Sequence, residues 1–109
     1  MIIETHNTHN DIDPNMTSLQ GYVTADYDVL TALFGEPMDG DGYKTDAEWH
    51  LRFQPSNLVA TIYNWKNGRN YLGHDGLNVQ AITEWNIGGH TPLAAKMVQT
   101  TIKEALEQA

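Results

Sequence analysis

In the stretch "KTDAEWHLRF", residues 44–53, polar and apolar side chains alternate from Asp46 to Phe53. Ala47, Trp49, Leu51 and Phe53 fall on one side, and Asp46, Glu48, His50 and Arg52 fall on the other. Only an extended chain has a side-chain period of two, so this stretch predicts a half-buried strand with one wet face. "QPSN" then turns the chain into "LVATIYNWK" (58–66), a β-branched and aromatic run that predicts a strand central to the sheet. "LQGYVT" (19–24) and "QAITEWNI" (80–87) predict two further strands. The apolar face of such a sheet needs a covering layer, and two segments have helical spacing. "DYDVLTALF" places Val29, Leu30, Leu33 and Phe34 on one face and is closed by Gly35 and Pro37. The last begins with Thr91 as N-cap and Pro92 at the first helical position. Leu93, Met97, Val98, Thr101, Ile102 and Ala105 mark its apolar stripe. The order β-α-β-β-β-α predicts an α+β fold, an antiparallel four-stranded sheet with both helices packed on one face.

At 109 residues the chain suits a single domain, here residues 19–109. Residues 1–18, "MIIETHNTHNDIDPNMTS", show no sustained period and read as a polar tail that the domain can lose without harm. Cysteine is absent, which excludes disulfides, zinc–thiolate sites and a thiol nucleophile. With no signal peptide and no long apolar run, the expectation is a cytoplasmic chain with no membrane partner. Fourteen acidic against six basic residues give a formal charge of −8, which argues against nonspecific nucleic-acid binding. The same charge suits an acidic surface that engages a basic protein site.

His6, His9, Asp11 and Asp13 are transition-metal ligand types, but they lie in the unpatterned segment and read as solvated. "DGDGYKTDAE" has the acidic look of a calcium loop, yet Tyr43 and Lys44 stand where an EF-hand needs a ligand and a glycine. Asp46, Glu48 and His50 form a row on one wet face with no Ser or Cys nucleophile near them in sequence. No catalytic constellation emerges, and the expectation is a non-enzymatic protein with no cofactor or metal. A binding site is the better candidate. Tyr63, Trp65, Lys66, Arg69 and Tyr71 follow one strand, and Trp85 lies near the end of another. Gly88, Gly89 and His90 precede the last helix, where free backbone amides favour an anion. Should these strand ends meet, aromatics would stack on a planar, anionic small molecule while cations and amides hold its charge. The same side chains serve equally as anchors for a protein partner.

"GYVTADYDVLTALFGEP", "GYKTDAEWHLRF", "ATIYNWKNGRNYLG" and "ITEWNIGGH" together resemble a family of small proteins encoded by tailed bacteriophages. The shared features are the Phe-Gly-x-Pro helix end, the Lys-x-Asp-x-Glu-Trp strand, the Ala-Thr-Ile-Tyr strand and the Trp-x-Ile-Gly-Gly turn, over about residues 20–91. The resemblance implies an accessory gene product acting in the bacterial cytoplasm on a host protein, including antiviral defence components. It carries no catalytic residues across. A similarity of architecture alone links the helix ending Gly-x-Pro and the Trp-bearing strand to inhibitory modules of the β-lactamase-inhibitor-protein type.

Overall fold

A computed structural model describes residues 2–108. The fold is α+β, an open antiparallel sheet of six strands with three helices. In chain order the elements are β1 (Ile2–Thr5), β2 (Ser18–Thr24), α1 (Tyr27–Phe34), β3 (Met38–Asp39), β4 (Ala47–Gln54), β5 (Leu58–Tyr63), α2 (Arg69–Leu72), β6 (Glu84–Gly89) and α3 (Pro92–Glu107). The strands lie side by side as β1-β4-β5-β6-β2, and the short β3 pairs with the start of β4. The expected sheet of four strands and two helices is therefore extended by β1, β3 and α2.

The alternation in β4 sets the layers. Ala47, Trp49, Leu51 and Phe53 are buried, and register places Ile62 and Ile87 in line with Trp49. This face meets Leu30 and Phe34 of α1 and Ala94, Val98 and Ile102 of α3 in one core. Trp49 and Trp85 meet edge to face at 5.3 Å between ring centroids. Each indole N–H also ties down one end of α1: Trp49 donates to the Gly35 carbonyl at 2.8 Å and Trp85 to the Ala25 carbonyl at 3.0 Å. Gly35 takes φ +82°, the left-handed conformation that ends a helix, and its N–H closes on the Thr31 carbonyl.

The stripe of α3 differs from expectation. Leu93 is exposed, and the buried positions are Ala94, Ala95, Val98 and Ile102. Close approach explains the rotation. A β-carbon on Gly21 would come within 2.9 Å of that of Ala95, and one on Gly89 within 2.3 Å of that of Ala94. Alanines stand on glycines, so the smallest side chains rather than the largest face the sheet here.

Residues 2–18 are not the expected tail. β1 pairs along β4 from Ile2↔Gln54 to Thr5↔Leu51, and Ile3 packs against the core. Because β1 and β2 occupy opposite edges of the sheet, residues 6–17 cross from one to the other over the face that the helices leave free. Ile12 is buried in that crossing. Arg52, pointing to this open face, bonds Glu4 at 2.6 Å and Asp11 at 3.1 Å and so fastens the crossing segment to β4. His9 bonds Glu4 at 2.9 Å, and His6 donates through Nε2 to the Glu36 carbonyl. The ring nitrogens of His6 and His9 thus serve the fold, and among the described residues no cluster of three ligand-type side chains can hold a metal.

The hydrogen bond from Arg52 holds the carboxyls of Glu4 and Asp11 below their ordinary range. Each titrates lower in the folded chain than in the unfolded one, so its stabilisation is complete above the unfolded value. That stabilisation is lost as pH falls through the lowered folded values. Thermal melts should therefore weaken below about pH 4, and Arg52→Met should flatten that part of the profile.

Candidate functional site

The corner that carries Trp65 is built by one buried amide. Asn64, wholly buried at the end of β5, accepts the backbone N–H groups of Asp46 and Ala47 through Oδ1 at 2.7 and 3.1 Å. Its Nδ2 donates to Asp46 Oδ1 at 2.9 Å and to Asn67 Oδ1 at 3.0 Å, so its bonding capacity is full. Asp46 also accepts the backbone N–H of Asn70 at the start of α2. A β-carbon on Gly68 would fall 2.1 Å from Asp46 Oδ1, which requires glycine there. Lys66 takes φ +60° and donates its N–H to the Lys44 carbonyl at 2.8 Å, stitching the loop after β5 to the loop before β4. That second loop is a turn around Asp41, whose Oδ1 accepts the N–H groups of Tyr43, Lys44 and Thr45. These bonds, led by that from Thr45, hold the Asp41 carboxyl below its usual range.

Trp65 stands 44% exposed on this frame. It is braced. Tyr63 meets it edge on at 6.2 Å between centroids. The Lys44 and Lys66 ammonium groups lie 5.3 and 5.7 Å from its ring centroid. Lys44 also lies over Tyr43, Lys66 over Tyr71, and the two tyrosines touch at 5.3 Å. Burial raises the Tyr63 hydroxyl above its ordinary pKa. Two open depressions flank the Tyr63–Trp65 pair on the helix-free face. One, of about 240 Å³, is lined by Asp41, Glu48, Thr61 and Gly88 with residues of the crossing segment. The other, of about 430 Å³, is lined by Leu19, Tyr22 and Asn86.

Of the residues singled out from sequence, the structure gathers Tyr63, Trp65, Lys66 and Tyr71 here, with Arg69 opening α2 beside them. Gly88 joins through the floor of the smaller depression. Trp85 does not. It shares the face of Ile87, which points at the helices, and is 1% exposed. Gly89 faces α3 and serves packing. His90 is exposed at the far end of β6. Antiparallel pairing sets Ala60 against Gly89, so His90 lies about 15–20 Å along the strands from Trp65. The amides before α3 and the cations beside Trp65 therefore cannot hold one anion together. The Asp46–Glu48–His50 row divides as well: Asp46 holds the loop, while Glu48 bonds His50 Nε2 on the open face.

Sequence reasoning missed Tyr43, Lys44, Tyr22 and Leu19. Pairing of Glu48 with Tyr63 carries the signal for the first two, since it brings the residues just before β4 level with those just after β5. Tyr22, out of phase with Val23, was the sign for the open face of β2. No protein-family model, curated protein or solved structure matches this chain.

Proposed function

We propose that this chain is a non-enzymatic accessory protein of a tailed bacteriophage, which binds and blocks a host protein of antiviral defence in the cytoplasm of the infected cell. The observation that carries the binding is the exposed, braced Trp65. A half-exposed tryptophan held by Tyr63, Lys44 and Lys66 loses little side-chain freedom on docking, and such aromatics dominate protein interfaces. The depressions beside it are open, which suits a protein surface better than a small molecule that needs enclosure. The phage origin and the choice of target rest on the motif resemblance alone.

A second reading, sequestration of a nucleotide-like or other anionic signal, draws on Lys44, Lys66 and Arg69, half of the six basic residues, at one corner. Lys44 and Lys66 already lie over aromatic rings, and His90 lies far off, so the protein partner is favoured.

The test is capture from a lysate of the bacterial host, with the full chain and with Trp65→Ala compared by mass spectrometry. A specific host protein should be retained by the first and lost at least about thirtyfold by the second, as for a hot-spot residue. The melting of Trp65→Ala should stay within about 0.5–1 kcal/mol of the parent, because the side chain is half exposed. Equal capture by both chains would contradict the proposal. A nucleotide-like anion released on denaturation, with no captured protein, would establish the second reading instead.

A further inference from the structure

We propose that the smaller depression takes an arginine side chain of the partner protein, an inference that rests on the function proposed above. The depression combines an aromatic wall, Tyr63 and Trp65, with two carboxylates, Asp41 and Glu48, and is completed by Thr45, whose hydroxyl accepts the Asp41 N–H, and by Thr61. Asp41 spends Oδ1 on three backbone N–H groups, and the Thr45 side chain also bonds its carboxyl, so it contributes its charge rather than a free acceptor. Glu48 spends Oε2 on His50, and among the described residues no hydrogen bond reaches its Oε1. Lys44 lies over Tyr43 and Trp65 and Lys66 over Tyr71 and Trp65, and neither lysine lines either depression. The cations next to Trp65 therefore brace the ring, and the groups offered to a visitor are acidic.

A guanidinium fits this chemistry better than an ammonium. It is planar, stacks on aromatic faces and forks onto carboxylates, and it sheds water more readily. An anion would meet two carboxylates. A plain apolar side chain would leave them desolvated and unpaired. The net charge of −8 adds long-range attraction for a basic partner.

The probe is N-acetyl-arginine methylamide, titrated into the full-length chain and followed by NMR. N-acetyl-norleucine methylamide and N-acetyl-glutamate methylamide serve as comparators. The arginine probe should produce saturable shifts of the Trp65 indole N–H and the Glu48 and Thr61 amides, with a dissociation constant on the order of 1 mM for so small a ligand. The comparators should produce none. Glu48→Gln should weaken the arginine probe roughly tenfold, the scale of one charge-assisted hydrogen bond. Trp65→Leu, at an exposed position, gives the same reading should Glu48→Gln unfold. No saturable shift, equal shifts from either comparator, or unchanged affinity in a folded Glu48→Gln chain would overturn the inference. Trp65-dependent capture from lysate without a response to arginine would overturn this inference and leave the proposed function standing. A response to arginine without such capture would overturn the proposed function and keep the assignment of the depression.

Discussion

Trp49→Ala should cost about 3–5 kcal/mol, a large part of the stability of a domain this size. Three losses combine. The side chain is wholly buried, so its removal leaves a cavity between β4 and α1. Its edge-to-face contact with Trp85 disappears. The Gly35 carbonyl at the end of α1 loses the indole N–H that it accepts at 2.8 Å. Trp49→Phe keeps much of the volume but not the donor, and should fall between the two. Chemical denaturation measures both, and a change under 1 kcal/mol for the alanine variant would contradict the assigned packing.

Deleting residues 1–16 is the second change with a large effect. It removes the β1 pairing with β4, the burial of Ile3 and Ile12, and the Glu4–Arg52–Asp11 fastening. A buried aliphatic side chain such as Ile12 contributes about 1.5–3 kcal/mol, and the partly buried Ile3 adds less. A loss of about 3–6 kcal/mol is expected, read as a drop in melting temperature of more than about 10 °C. An unchanged melt would return the segment to the role of a dispensable tail. Zinc added to the full-length chain should not raise its stability, since His6 is engaged by the Glu36 carbonyl and His9 by the Glu4 carboxylate.

The central hairpin was legible because β4 alternates strictly and its partner is apolar but for Thr61, so the period of β4 orients the pair. β1 was not legible. Two isoleucines are too short a run to show a period, and the strand is held by backbone pairing and by Arg52 from far along the chain. The stripe of α3 was misjudged at Leu93 because Gly21 and Gly89 select small residues, a preference that appears only when helix and sheet are brought together. At the candidate site, local sequence pointed to Trp65 and its neighbours. Their lysine brace depended on Lys44, twenty-one positions before Trp65, and on the bond that Lys66 makes to it. The buried Asn64 that organises the corner sits inside a run that reads as plain strand. An amide in such a run is the one signal of it.

The most direct test of the proposed binding surface is hydroxyl-radical footprinting of the chain, alone and with the host protein that the lysate experiment is expected to retain. In the free chain Trp65, Tyr22 and Tyr43 should oxidise readily, while Trp49 and Trp85 should not, in keeping with their exposure. On binding, Trp65 should become protected, with Leu93 and Leu106 on the outer side of α3 unchanged. Equal oxidation of Trp65 in both states, with protection at Leu93 and Leu106 instead, would contradict the account and move the partner to the helical layer.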